Sequence, residues 1–246
     1  SADVQTAAML NLPRPKLDGE KPTIRNAPAT EELKAFVQEL AKRAERLKTN
    51  RVDPSVDNML KITGEGRKAA LDLRLVRPRA VDHPDSKVNL ALREILGIWQ
   101  ETRNQRLTQM VFCDLSTPKV EGRGFSAYQD LKAKLVSSGV PSNEVAFIQD
   151  HETDAAKASL FRDVRAGKVR ILFGSTQKMG AGTNAQTLLV ALHHLDAPWR
   201  PADIEQREGR ILRQGNTNGV VKIFRYVTEG SFDAYMWQTL ETKAKF

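Results

Sequence analysis

From Thr30 onward apolar residues recur at helical spacing. Leu33, Phe36, Val37, Leu40, Ala41, Ala44 and Leu47 share one stripe, which predicts an amphipathic helix over 31–48. Thr30 suits its N-cap, and Glu31 and Glu32 suit the positive end of its dipole. Residues 1–30 hold Pro13, Pro15, Pro22 and Pro28 and little periodicity, so they read as an extended lead-in. Residues 50–86 place turn signals (Asp53-Pro54, Gly64-Glu65-Gly66, Arg77-Pro78, His83-Pro84) around a helix-like stretch from Arg67 to Val76. They form a connector or small helical subdomain.

At Ser86 the rhythm changes. Lys87–Leu107 is predicted as a long helix, with Val88, Leu92, Ile95 and Trp99 on one face. A strand over Gln109–Leu115, a helix over Ser126–Ser138, a strand over Val145–Ile148 and a helix over Thr153–Ala166 follow. Then come apolar runs over Val169–Phe173 and Leu188–Leu195, a helix over Pro201–Arg213, a strand over Val220–Val227 and a closing helix over Ser231–Ala244. Strands alternating with helices, several apolar on both faces, predict an α/β fold with a mainly parallel sheet covered by helices. The divisions are 1–52, 53–85 and 86–246. In such sheets chemistry gathers at the carboxyl ends of strands, which singles out the loops after Leu115, Phe173 and Leu195.

Composition narrows the classes. Among 246 residues, 40% are hydrophobic, enough for a real core. Thirty-eight Lys and Arg against 30 Asp and Glu leave +8, a surplus that favours a polyanionic partner. A single cysteine, Cys113, sits in the apolar run Met110-Val111-Phe112-Cys113, so a disulfide framework and a multi-cysteine zinc site are excluded. His151 reads as a loop residue and His193-His194 lie in a strand-like run, so no metal is assigned. No apolar run is long enough for a membrane span, and the first residues lack the basic segment of a secretion signal. A cytoplasmic protein is expected, and a chain that starts without Met reads as a piece of something longer.

Two segments carry candidate chemistry. The loop Gly174-Ser175-Thr176-Gln177-Lys178-Met179-Gly180-Ala181-Gly182-Thr183-Asn184 sets hydroxyls, a lysine and close glycines after a buried strand. Such a loop either cradles phosphate with its N–H groups or is a tight turn without a ligand. It lacks the third glycine of a dinucleotide fingerprint. On the predicted helix 201–213, Arg210 and Arg213 lie about 40° and 20° to either side of Gln206 on one face, and Ile204 and Ile211 point the opposite way. Arg207 has Asp203 four residues before it as a local partner. Arg210 and Arg213 have no acidic neighbour at helical spacing. They call for a bound phosphate, a tertiary carboxylate or open solvent, and the fork of arginine suits phosphate best.

Ser175 to Asn184 resembles motif V of superfamily-2 helicases. Asp196-Ala197-Pro198-Trp199-Arg200-Pro201 followed by Gln206-Arg207-Glu208-Gly209-Arg210-Ile211-Leu212-Arg213-Gln214-Gly215 resembles their motif VI, in the chromatin-remodeller flavour of DNA translocase. The resemblance covers residues 86–246. Residues 1–85 look like the segment before this lobe in large phage- and plasmid-borne helicase–methyltransferase proteins, some linked to anti-restriction. The resemblance implies a RecA-like second lobe. Arg210 and Arg213 would reach the ATP γ-phosphate, with Arg213 as arginine finger. Gln206, Gly180 and Gly182 would face nucleotide. Ser116, Thr117, Ser175, Thr176 and Lys178 would lie along the nucleic-acid backbone. The chain departs from the family pattern at Met179, at Arg200 for Asn in the Trp-Asn-Pro turn, at His151 and at Lys157.

No G-x-x-x-x-G-K-[ST] loop occurs and no Asp-Glu pair ends an apolar strand. The resemblance therefore implies half of an ATPase, with ATP and Mg2+ held only together with an upstream RecA-like lobe, and DNA as partner. Two other readings compete. One is a non-catalytic nucleic-acid-binding or scaffolding module derived from such a lobe. The other is an unrelated nucleotide-dependent enzyme of doubly wound fold.

Overall fold

A seven-stranded sheet organises the chain, and every strand pairing in it is parallel. The structure, a computed structural model, describes residues 13–49, 52–119, 124–179 and 184–244. The strands are β1 (Lys16–Leu17), β2 (Thr23–Ala27), β3 (Thr108–Phe112), β4 (Val145–Phe147), β5 (Ile171–Gly174), β6 (Leu189–His194) and β7 (Val220–Thr228). Their order is β1-β7-β6-β3-β5-β4, with β2 also on β7. The helices among the described residues are α1 (Glu31–Thr49), α2 (Met59–Leu71), α3 (Lys87–Glu101), α4 (Ala127–Ser137), α5 (Asp154–Arg165), α6 (Pro201–Glu208) and α7 (Phe232–Lys243).

Strand alternation builds a core on each face. Val111, Cys113, Ile171, Phe173 and Tyr226 face α3 and α4, packing on Ile95, Tyr128 and Leu131. Met110, Phe112, Leu172, Leu192 and Ile223 face the other way, against Leu160, Phe161 and Val164 of α5 and against Ile211. Parallel strands put all their carboxyl ends on one edge, so the segments after β3, β5 and β6 emerge together.

The lead-in is more than extended chain. β1 pairs with Val220 and Val221, and β2 pairs with Phe224 to Thr228, so the segment fills the flank of the long β7. α1 and α2 form their own small core through Leu33, Phe36, Leu40, Ile62 and Ala69. Lys87, at the start of α3, is wholly buried, donates to the Leu195 carbonyl at 2.9 Å and pairs with Asp233 of α7.

Three boundaries differ from expectation. α2 begins at Met59, capped by the Asn58 side chain, and runs through Gly64-Glu65-Gly66, which reads as a turn in sequence. Gly66 is there for close packing: a Cβ at that position would stand 2.5 Å from the Phe232 ring. α3 stops at Glu101 rather than Leu107. Buried Arg170 explains the stop, since it donates to the carbonyls of Trp99 and Leu107 and to the Thr102 hydroxyl. Burial lowers its pKa to about 10. α6 ends at Glu208, short of Arg210 and Arg213, with Gly209 at its C-cap.

The two α2 glycines should respond oppositely to alanine. A Cβ at Gly64 meets nothing within 4 Å, so Gly64→Ala should stabilise by about 0.5–1 kcal/mol through helix propensity. Gly66→Ala should destabilise by about 1–3 kcal/mol through overpacking on Phe232. Urea unfolding of both variants checks this, and equal shifts would refute the packing account.

Candidate functional site at the carboxyl edge of the sheet

Three strand-end segments converge on one side chain. Arg207, on α6, is 0% exposed. Its Nε donates to Thr176 Oγ1 at 2.8 Å, beyond β5. Its Nη2 donates to Asp114 Oδ2 at 2.7 Å, beyond β3, and to Asp196 Oδ1 at 3.1 Å, beyond β6. Its Nη1 reaches the Asp196 carbonyl at 3.0 Å, and the guanidinium lies over the Phe112 ring.

The two carboxylates are themselves anchored. Asp196 Oδ2 accepts the backbone N–H groups of Asp114 and Leu115 at 2.6 and 2.9 Å. Asp114 accepts from the Thr176 N–H at 2.7 Å and from its hydroxyl at 2.8 Å. Burial would raise the Asp114 pKa, but the Arg207 charge and these bonds hold it below the ordinary carboxylate value. Burial likewise opposes charge on Arg207, and Asp196 and Asp114 reverse that and raise its pKa.

The expectation of a local Asp203–Arg207 pair is therefore corrected. Asp203 pairs instead with Arg200, three residues before it, at 2.8 Å. On the helix predicted over 201–213, Arg207 lies on the same side as Ile204 and Ile211, within about 60° of each. That inward placement is the signal by which sequence could have found it.

Beside this network lies an open groove of about 660 Å³, lined by Asp114, Thr117, Ser175, Thr176, Gln177, Arg200, Asp203 and Gln206. Thr117, Ser175, Thr176 and Gln206 thus share one surface. Ser175 Oγ accepts the Lys178 N–H at 3.3 Å, and Lys178 is exposed on the same turn. Ser116 is a correction. It is 1% exposed, and its hydroxyl accepts the Ala127 N–H at 2.8 Å at the start of α4, so it cannot meet a ligand at the surface.

The arginines expected on one helical face are divided. Because α6 ends at Glu208, Arg210 and Arg213 follow in turns, away from the groove that holds Gln206. Arg210 is 6% exposed, and burial together with the Arg213 charge lowers its pKa. Arg213 is exposed and lines a separate depression with Arg14, Gly209, Leu212 and Gln214. Neither Arg14 nor Arg213 makes an ion pair among the described residues. Gly180 and Gly182 lie outside the described residues. No helix among the described residues is long and apolar enough to cross a membrane.

The strand-edge histidines are structural. His193 bonds Tyr226 Oη at 2.8 Å and Gln109 Oε1 at 2.9 Å, and His194 bonds Glu208 at 3.1 Å. Burial lowers their pKa values to about 3 and about 4 respectively.

Two expected outcomes follow from these buried groups. Burial pushes the Asp196 pKa up against the opposing charge of Arg207, so Arg207→Met leaves a buried carboxyl that is either an unpaired charge or must take up a proton, and unfolding free energy should drop by about 3–5 kcal/mol; a urea midpoint equal to wild type would contradict the network's role. The folded chain keeps both histidines neutral, whereas the unfolded chain protonates them near pH 6.5. Their contribution is complete above that pH and is lost on acidification, by about 2 kcal/mol per histidine between pH 7 and pH 5. Urea midpoints measured across that range would reveal the slope, which His193→Gln should roughly halve.

No family model matches the chain. The Defense against restriction protein B of Escherichia phage P1 is 38% identical over 82 residues, a match that takes in 33% of this chain and 4% of that protein's length. The C-terminal part of the Fun30 ATPase domain superposes with a TM-score of 0.57 at 15% identity, covering 93% of this chain and 89% of that one. The helicase MrfA, in a structure bound to DNA, gives a TM-score of 0.46 at 14% identity over 63% of this chain and 21% of that chain. The chain has the RecA-like α/β fold of helicase C-terminal lobes, with a mostly parallel sheet and helices over both faces.

Proposed function

We propose that this chain is the second lobe of an ATP-driven nucleic-acid translocase or helicase, and that its arginines complete an ATP site whose phosphate loop belongs to a separate first lobe. The observation that carries the reading is Arg213. It is an exposed guanidinium beside Arg14, close enough to Arg210 to lower that group's pKa, and it has no ion pair among the described residues. Two exposed guanidinium groups lining one depression suit the oxygens of a polyphosphate. The fold shared with the Fun30 lobe supports the same reading.

In this reading Arg213 would neutralise charge on the γ-phosphoryl group, with Arg210 behind it and Gly180 and Gly182 toward nucleotide, as the motif resemblance implies; Gln206 stands in the other groove and would belong to the nucleic-acid side instead. Mg2+ would be held by the first lobe and the phosphates, because this chain has no phosphate-cradling loop of the G-x-x-x-x-G-K-[ST] type. Thr117, Ser175 and Lys178 would follow nucleic-acid phosphates, a grip that is salt-sensitive and blind to sequence; Thr176, whose donors are taken by Asp114, would shape the groove without gripping a phosphate. Arg207 takes no part in the chemistry, since its donors are committed inside the lobe.

The test needs a protein that carries this lobe together with the first one. There, Arg213→Ala should lower nucleic-acid-stimulated ATPase by roughly 10³–10⁵-fold, while the melting temperature of the 246-residue chain stays nearly unchanged. Full ATPase activity in that variant would remove the finger role and leave the chain a nucleic-acid-binding or scaffolding module.

A further inference from the structure

The turn Ala197-Pro198-Trp199-Arg200 departs from the helicase pattern at Arg200, and the structure puts that arginine in the groove with Thr117, Ser175, Gln177 and Gln206. The Arg200 side chain is 76% exposed. Asp203 takes two of its donors, Nε at 3.2 Å and Nη2 at 2.8 Å. Nη1 makes no hydrogen bond among the described residues. The fork is therefore held in one orientation by Asp203 while a face of it remains open. The groove's other carboxylate, Asp114, is already matched by Arg207 and Thr176.

The turn that presents Arg200 is braced from beneath by the N-terminal segment. Arg67 of α2 donates to the Ala197 carbonyl at 2.8 Å, and its guanidinium carbon lies 4.1 Å from the centre of the Trp199 ring. Trp199 is 52% exposed, so one face of the indole packs on Arg67 and the rest meets solvent. A charge held in place before its ligand arrives loses little freedom on binding.

We propose that Arg200 is a contact for a backbone phosphate of a nucleic-acid strand lying in this groove, presented by a turn that Arg67 holds rigid. The proposal rests on the reading of the chain as a nucleic-acid-gripping lobe. A phosphodiester offers the planar pair of acceptors that the open side of the fork fits. The neighbouring hydroxyls and amides supply the neutral donors that commonly accompany such a contact. The net charge of +8 draws a polyanion to the surface without choosing where it sits, and Arg200 makes that choice locally.

The experiment is fluorescence anisotropy of a short labelled DNA, single-stranded and duplex, titrated with the 246-residue chain over a series of salt concentrations. Arg200→Ala should weaken binding several-fold at low salt and make the slope of log affinity against log salt shallower by about 0.7–0.9, the release expected for one phosphate. Arg200→Lys should keep the slope, because it keeps the charge. The melting temperature of both variants should match wild type, since Arg200 is exposed and its pair is local. An unchanged slope in Arg200→Ala, with wild-type binding intact, overturns this assignment and leaves the lobe reading standing. Failure of the wild-type chain to bind DNA at any salt overturns the nucleic-acid reading itself. In a protein that carries this lobe together with the first one, weakened binding of a non-hydrolysable ATP analogue by Arg200→Ala, with DNA binding untouched, overturns the proposal in favour of a nucleotide contact.

Discussion

The site depends on one buried cation. Arg207 has no access to water, and a lone charge in that position would be prohibitively costly. Asp114 and Asp196 offset the cost, and each is in turn fixed by backbone or hydroxyl donors. The five N–H donors of a guanidinium suit this task, because they can serve three strand ends at once. The ends of β3, β5 and β6 are thereby held in register beyond the last ladder bond, and the floor of the groove takes its shape from that. A lysine offers one point charge and could not join the same partners.

Once Arg207 is committed inside, the other arginines divide the remaining work. Arg170 closes the end of α3 against the opposite edge of the sheet. Arg67 ties the N-terminal helices to the turn before α6. Arg200 and Arg213 keep open donors at two separate surfaces, the groove and the depression beside Arg14. A chain with a surplus of base thus spends part of it on architecture, so net charge alone overstates what is available to an anionic partner.

Much of the fold is legible in the sequence. The boundaries of α4, α5 and α7 lie within a residue or two of their caps, because Ser126, Thr153 and Ser231 accept backbone N–H groups there as local rules require. The three strand-end loops worth attention are those that meet in space. The misreadings share a cause. Gly64 and Gly66 imitate a turn, yet one of them serves contact with Phe232, a neighbour far along the chain. The pattern carries α6 on to Arg213, whereas the helix ends at Glu208 with Gly209 as its C-cap. Ser116 looks like a loop hydroxyl and instead caps α4.

Sequence periodicity by itself determined the α/β class and the edge at which chemistry gathers, because apolar spacing sets which faces must be buried, and buried parallel strands must all end on the same side. Tertiary structure alone decided which arginine went inside. Asp203 lies four residues from Arg207 and could have paired with it, but Arg200 claimed Asp203, while Asp114, far away in sequence, and Asp196 claimed Arg207. Local spacing fixes which ion pairs are possible along a helix. Burial decides among them, since a charge removed from water must take the partners that satisfy every donor, wherever in the chain they lie.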